Sequence, residues 1–223
     1  MTIRLLFSAI LKFFLGVVLV GVLIFLPAGT FSFWQGWLFM GILFLPMFLA
    51  GVVMMIKSPD LLRKRLVAKE KQREQGLVVK LSGLMFLAGF LIASLGHRFF
   101  WYTLPAGVSA VAAVVFLIAY ALYAEVLREN AYLSRTIEVQ EGQVVVDTGL
   151  YGIVRHPMYA VTLLLFLSMP LVLGSLYSFL IFLCYPVLIS QRIRYEEAFL
   201  ERELLGYAEY KKKVKYRMIP WIW

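Results

Sequence analysis

Residues 149–174 read GLYGIVRHPMYAVTLLLFLSMPLVLG, and this stretch joins a polar, aromatic segment directly to an apolar run. An arginine, a histidine and two tyrosines at the mouth of an apolar segment are costly in lipid unless they meet a partner or a ligand. The stretch therefore raises two questions together: how the chain crosses a membrane, and what these polar residues bind.

The composition of the 223-residue chain is that of a polytopic membrane protein. Hydrophobic residues make up 62% of it and charged residues only 16%, and its mean hydropathy is +0.84. A soluble domain carries about 25% charged residues. No polar stretch is long enough to form a separate soluble domain, so we predict an all-α membrane protein.

The apolar runs predict about six transmembrane helices, because several of them reach the length of about 20 residues that crosses the hydrocarbon core. The first run is too long for a signal peptide and lacks a small-residue cleavage site, so we expect it to be retained. The last two runs are short and separated by Gly174, which predicts a tight helical hairpin or, alternatively, one broken helix. The predicted spans are 5–27, 34–56, 78–96, 104–127, 159–173 and 175–190.

The positions of the basic residues predict the orientation. Lysines and arginines cluster near the N-terminus, between Lys57 and Lys80, after the fourth span and after Gln191. Because basic loops stay in the cytoplasm, six spans place both termini on that side. Orientation and contact with anionic headgroups, above all by KKKVKYR at 211–217, account for the net charge of +9. Nucleic-acid binding is not needed to explain it.

The few cysteines and histidines argue against a metal site. Cys184 is the single cysteine, and His97 and His156 are far apart in the chain. A thiol or histidine metal cluster therefore lacks enough ligands, and a disulfide within the chain is impossible.

Residues 128–158 contain a candidate β-hairpin. Ile137, Val139, Val144 and Val146 alternate with polar residues on either side of a turn at Gly142, which is the period of a two-stranded ribbon. An ordinary interfacial loop is the alternative. A hairpin would present backbone donors and acceptors to a ligand.

The sequence RHPMY at 155–159, which we call the elbow, predicts a bend at the start of the fifth span. A residue before proline is pushed out of the helical region, so His156 is expected to be extended, and Pro157 suits the first helical turn. The free N–H groups of a helix start favour a carboxylate. The alternative is that Arg155 and Tyr159 only anchor the chain at the membrane interface.

An acidic pair, Glu196 and Glu197, follows the sixth span on a helix predicted to continue into AFLERELLGYAEY. Arg192 and Arg194 precede these glutamates by four and three residues, which places opposite charges on neighbouring helix positions. An exposed helix with weak ion pairs is one interpretation. Carboxylates so near the bilayer also favour a partner or a ligand.

Together, GLYGIVRHPMY, the acidic pair and LLGYAEYKKKVKYRMIPWIW resemble the isoprenylcysteine carboxyl methyltransferase family, whose members are integral membrane enzymes related to phospholipid N-methyltransferases. The likeness covers about residues 125–220, so we divide the one integrated domain into a four-span scaffold at 1–127 and a cofactor-binding region at 128–223. The resemblance implies an S-adenosylmethionine pocket between the elbow and the C-terminal helix. It implies the following cofactor-binding residues: Gln143, Val144, Val145, Val146, Tyr151, His156, Pro157, Met158, Tyr159, Glu196 and Glu197.

The resemblance also implies an arginine that orients the substrate a few residues before Glu197. Arg194 and Arg192 are both candidates, with Arg194 preferred. The expected reaction transfers a methyl group to a lipophilic or lipidated acceptor from the bilayer, a carboxylate or related nucleophile, at the cytoplasmic face. Such a displacement depends on alignment in a dry pocket more than on a strong base. The short N-terminal part indicates a relative of prokaryotic type.

Two other functions remain open at this point. Membrane sterol reductases have a similar elbow and tail and use NADPH, although the short polar segments leave little room for that dinucleotide. A membrane scaffold without catalytic activity, whose loops bind headgroups or a partner, is the other.

Overall fold

The structure is a computed structural model that describes residues 3–66, 73–133 and 139–223, and in those ranges it is helical. The four long apolar runs form α1 (Ile3–Ala28), α2 (Trp34–Lys57), α4 (Arg73–Arg98) and α5 (Ala106–Glu129), with a short polar helix, α3 (Pro59–Leu66), after α2. The remaining helices are α6 (Pro157–Val172), α7 (Leu176–Phe182), α8 (Tyr185–Glu203) and α9 (Tyr207–Lys213). The prediction of an all-α membrane protein is confirmed.

Five helical segments among the described residues are long and apolar enough to cross a membrane. They are α1, α2, most of α4, α5 and the combined run Leu176–Glu203, whereas α6 is a shorter apolar helix. The combined run divides into α7 and α8 at Leu183 and Cys184, just before Pro186. Proline has no N–H for a helical hydrogen bond and clashes with the preceding turn, which accounts for this break.

α6 lies at the centre of the bundle. It makes its most extensive contact with α5, and α4 packs against α1, α7 and α8. The chain turns at Gly174 after the C-terminal end of α6. The φ of Gly174, +69°, is a left-handed conformation that glycine adopts without strain. The Gly174 carbonyl accepts a hydrogen bond from Leu104 N at 2.9 Å. The end of α6 is thus fixed to the loop before α5.

The interior is filled by aromatic and small residues from several helices. Phe39, Phe116 and Phe182 are fully buried and belong to one hydrophobic cluster. Close approach of α7 to α4 depends on Gly89, since an added Cβ there would lie 2.3 Å from the Phe182 ring. Ser178 on α7 donates to the Gly89 carbonyl at 2.8 Å, which fixes the same contact.

The predicted β-hairpin is not formed by the residues that the structure describes. Ile137 lies outside them, and residues 139–148 form a turn and extended loop without a strand. The polar groups here bond locally instead: Gln143 N donates to Gln140 O, and Gln140 Nε2 donates to Tyr132 O at 2.7 Å. The alternating valines therefore belong to an interfacial loop, the alternative interpretation.

The helix predicted to continue from the acidic pair to Tyr210 is interrupted. α8 ends at Glu203, and Gly206 has a φ of +86° before α9 begins at Tyr207. A left-handed glycine is a common helix stop, because a side chain would be strained there. The break turns α9 back toward the elbow.

Candidate functional site

The elbow has the local geometry that its sequence predicts. Pro157 occupies the first turn of α6, and His156 precedes the helix with φ −125° and ψ 61°, outside the helical region. The His156 carbonyl accepts from Tyr159 N and Ala160 N as the first helical bonds form. The side chain of His156 is therefore fixed at the helix start, where it is 5% exposed.

The last ten residues, 214–223, which we call the tail, pair with the elbow through the backbone. Arg155 N donates to Tyr216 O at 2.9 Å and His156 N donates to Arg217 O at 2.7 Å. The guanidinium of Arg155 adds bonds from Nη1 to the carbonyls of Val214 and Lys215. The tail therefore packs against the elbow and supplies hydrogen-bond acceptors for the N–H groups of Arg155 and His156.

Glu197 is a buried carboxylate surrounded by basic side chains. It is 2% exposed, and it accepts from Arg155 Nε at 2.7 Å and from Arg217 Nε at 2.9 Å. His156 Nε2 lies 3.3 Å from the same carboxylate. Breaking a buried ion pair by removing one partner costs about 3–5 kcal/mol, so this cluster fixes α8, the elbow and the tail to one another. The exposed-helix interpretation is wrong for Glu197.

Glu196 belongs to a second polar chain. Arg192 Nε donates to the hydroxyl of Tyr159 at 2.9 Å, and that hydroxyl donates in turn to Glu196 Oε2. The side chain of Glu196 is 22% exposed, and its other oxygen lies 4.0 Å from His156 Nδ1. The two adjacent glutamates thus differ: one joins structural elements, and the other faces open space.

That open space is a cavity of about 830 Å³ when the open solvent at its mouth is counted. It lies between the end of α5, the loop at 143–146, the elbow, α8 and α9. Its lining residues are Asn130, Tyr132, Leu133, Gln143, Val144, Val145, Val146, Tyr151, Arg155, His156, Met158, Tyr159, Arg192, Glu196, Leu200, Leu204, Tyr207 and Tyr210.

The structure brings nearly all of the sequence-predicted site residues to this cavity. The loop residues at 143–146, Tyr151, His156, Met158, Tyr159, Glu196 and Arg192 line it. Pro157 and Glu197 do not line it; they shape the elbow and fix its position. Arg194, the preferred substrate-orienting arginine, is exposed and outside the lining. Arg192 is the arginine of the two that faces the cavity.

The sequence predicted a pocket wall from the C-terminal helix but did not identify the residues that α9 supplies. Tyr207 and Tyr210 line the cavity, and Tyr210 donates to the Tyr151 carbonyl at 2.7 Å. Lys213 fixes α9 to the loop through Asp147 at 2.6 Å, which lowers the pKa of that carboxyl. The tyrosines of the sequence LLGYAEY were a signal for these contacts, but only the chain reversal at Gly206 brings them to the elbow.

One cavity hydroxyl lacks an internal partner. Among the described residues, the hydroxyl of Tyr207 is buried and makes no hydrogen bond, whereas the hydroxyl of Tyr151 lies beside Asn130, which influences its ionisation as a side-chain hydrogen-bond partner. Burial raises the pKa of both tyrosines above its ordinary value, so both hydroxyls keep their protons at neutral pH. A protonated, unpaired hydroxyl inside a cavity is a donor for a ligand.

The site is suited to a ligand with charged and apolar parts. Arg155, Arg192 and Glu196 supply charges of both signs, and Leu133, Met158, Leu200 and the three valines supply apolar surface. No group of three or more potential metal-ligating side chains lies together in the described ranges.

Comparison with known proteins bears on the same part of the chain. Residues 102–205, from the loop before α5 to the end of α8, match the family model described as phospholipid methyltransferase. No curated protein matches the chain significantly. The matched segment includes the elbow and the acidic pair, while α9 and the tail lie beyond it.

Proposed function

We propose, from the match of residues 102–205 to the phospholipid methyltransferase family, that the chain transfers a methyl group from S-adenosylmethionine to a lipophilic acceptor at the cytoplasmic face of the membrane. The expected relation to phospholipid methyltransferases is confirmed by this match, and a membrane methyltransferase is the coarse function that follows from it. The identity of the methyl donor, the class of the methyl acceptor and the membrane face of the reaction are what we propose.

The convergence of the elbow and α8 on one cavity is the observation that carries the proposal. These segments are separated by more than thirty residues in the sequence, yet His156, Tyr159 and Glu196 line the same space. Both segments are also parts of the family resemblance that the sequence carries. A scaffold that only binds headgroups has no need for such a mixed polar and apolar cavity.

The lining residues fit the chemistry of S-adenosylmethionine. Glu196 offers an acceptor for an ammonium or for ribose hydroxyls, and Tyr207 offers a buried donor without an internal partner. The apolar wall formed by Leu133, Leu200 and Leu204 suits the faces of an adenine. When bound, S-adenosylmethionine supplies an activated methyl group on a positively charged sulfur.

We assign the orientation of the acceptor to Arg192. It lines the cavity and donates to Tyr159, and it lies on the part of α8 that follows the apolar turns. A guanidinium at this place binds a carboxylate or a related anionic nucleophile. The adjoining apolar helices contact the apolar part of the acceptor. An isoprenylcysteine carboxylate is one acceptor of this class.

The proposed topology has six crossings with both termini in the cytoplasm. It is supported by the end of α6, where Gly174 contacts Leu104 and is close to Gln35 near the start of α2. The short α6 thus extends from the cavity to the opposite end of the bundle. The basic residues Lys57 and Arg128 end α2 and α5 toward the cavity end, whereas Arg98 ends α4 at the opposite end; this bias supports a cytoplasmic cavity end.

Binding to the purified full chain in detergent tests the donor directly. We expect S-adenosylmethionine and S-adenosylhomocysteine to raise the temperature of unfolding, because a ligand that binds only the folded state stabilises it by mass action. NADPH is the matched control for the reductase alternative and is expected to have no effect. Stabilisation by NADPH but not by either sulfur compound contradicts the proposal.

A further inference from the structure

The hydroxyl of Tyr207 is an unusual feature of the cavity wall. The residue is 4% exposed, yet its hydroxyl makes no hydrogen bond to any residue that the structure describes. Buried polar groups in folded proteins nearly always have a partner. Tyr207 lines the cavity, so a ligand that fills the cavity is the partner available to its O–H.

The neighbouring tyrosine of α9 shows that the missing bond is not a requirement of the helix. Tyr210 packs its ring against Tyr207, with centroids 5.7 Å apart, and its hydroxyl bonds the Tyr151 carbonyl. Both rings belong to a small apolar cluster with Leu204 and Val214. The rings of the two tyrosines therefore pack in the same apolar cluster, but of the two hydroxyls only that of Tyr210 makes a hydrogen bond to a described residue.

Charges of both signs lie around the Tyr207 hydroxyl. Glu197, Glu196 and Arg155 are all near enough to influence its ionisation. Arg155 uses Nε and Nη1 for Glu197 and the tail carbonyls, while its Nη2 donates to none of the described residues. Arg155 also lines the cavity. Two donors are thus available to a ligand in this charged part of the site.

We propose that the hydroxyl of Tyr207, together with Nη2 of Arg155, binds the α-carboxylate of the amino-acid portion of S-adenosylmethionine. Glu196, which is partly exposed on the same cavity wall, then faces the α-ammonium of that portion. This assignment rests on the proposed function, which names the donor but not the contacts of its parts. It makes α9, which lies outside the family match, a component of the cofactor site.

The opposite arrangement fits the cavity less well. Adenine has little charge and is best placed against the apolar wall formed by Leu133, Leu200 and the valines of the loop. A zwitterion in that place would lose its hydration without gaining partners, which is costly. The charged part of the cavity compensates both of its charges. The polarity of the cavity wall therefore determines the direction in which the ligand lies, with the adenine at the apolar part and the amino-acid portion at the charged part.

The test uses the full chain in detergent, with S-adenosylhomocysteine and 5′-methylthioadenosine as probes. The second compound retains the nucleoside and lacks the amino-acid portion. We expect Tyr207→Phe to weaken S-adenosylhomocysteine binding about 10-fold, the effect of losing one hydrogen bond to a charged group. Binding of methylthioadenosine by the same variant is expected to equal that of the wild type.

Tyr210→Phe is the matched control, because it removes a hydroxyl from the same helix that already has an internal partner. We expect it to lower the unfolding temperature of the ligand-free protein. Tyr207→Phe is expected to leave that temperature unchanged or raise it, since an unpaired buried hydroxyl is removed. A loss of stability by Tyr207→Phe equal to that of Tyr210→Phe overturns the assignment.

Three binding results separate this inference from the proposed function. Wild-type affinity for S-adenosylhomocysteine in Tyr207→Phe overturns the inference alone. Equal weakening of both probes also overturns it, because the hydroxyl then contacts the nucleoside. A wild-type chain that binds neither probe overturns the proposed function itself, whatever the variants do.

Discussion

Arg192 and Arg194 are two residues apart on α8, and this spacing decides which of them can reach a ligand. Successive helical residues are rotated by about 100°, so these two side chains point to nearly opposite sides. Arg192 and Glu196 are four apart and share the side that lines the cavity. The alignment with the family was uncertain by a residue, and Arg194, the preferred candidate, lies on the exposed side of α8 outside the cavity lining.

The two arginines provide a matched pair of variants. We expect Arg192→Ala to lower the rate of methyl transfer at least about 10-fold, because a charged hydrogen bond to the acceptor is lost. Arg194→Ala is expected to stay within about 2-fold of the wild type, as an exposed side chain outside the cavity. Transfer of labelled methyl groups to the lipid phase of enriched membranes measures both, and mass spectrometry identifies the product. Equal losses in the two variants contradict the assignment of Arg192.

At the scale of elements, Glu197 joins three pieces of chain that are distant in sequence. It is on α8, and its partners Arg155 and Arg217 are on the elbow and the tail. The carboxylate is not part of the cavity lining, so it acts on the site by fixing the position of His156. The sequence identified this glutamate, but its role depends on two arginines that only the folded chain brings near.

We predict opposite profiles for amide substitutions of the adjacent glutamates. Glu197→Gln is expected to destabilise the protein by about 3 kcal/mol, because two arginines lose their buried counter-charge. Glu196→Gln is expected to cost less stability, since that side chain is partly exposed, and to weaken S-adenosylmethionine binding directly. Unfolding temperature and binding affinity in the same detergent separate the two effects. A Glu197→Gln protein as stable as the wild type contradicts the role given to the cluster.

At the scale of the whole molecule, the bundle has two chemically different ends. The cavity end carries the elbow, α9 and the basic tail. At the opposite end the loops meet, with Gly174 against Leu104 and Arg98 close to Gly29. The six crossings that we propose bring both termini to the cavity side. The proposed orientation therefore predicts on which side of the membrane each loop lies.

Labelling of single cysteines tests this orientation in intact cells. In a Cys184→Ser background, Tyr102→Cys places a thiol in the exposed loop before α5, and Glu209→Cys places one on the exposed side of α9. We expect a membrane-impermeant maleimide to label the first variant directly and the second only after permeabilisation, because the reagent cannot reach the cytoplasm. The reverse pattern means that the termini are outside.

The sequence alone was sufficient for the parts of the fold that depend on local physics. The four long spans were predicted nearly to their ends, since about 20 apolar residues in lipid must satisfy their own backbone bonds and form helices. Pro157 likewise determined the elbow, because proline restricts both itself and His156. Family resemblance added the cavity-lining residues from Gln143 to Tyr159.

Only the tertiary structure decided which of these residues meet and in what role. The alternation of valines at 139–146 did not produce strands, because period two describes a ribbon only when a partner strand is present. The reversal at Gly206 brings Tyr207 to the cavity, and the tail supplies Arg217 to Glu197. These contacts join residues far apart in the chain, and their energies depend on burial and counter-charges that no local stretch of sequence contains.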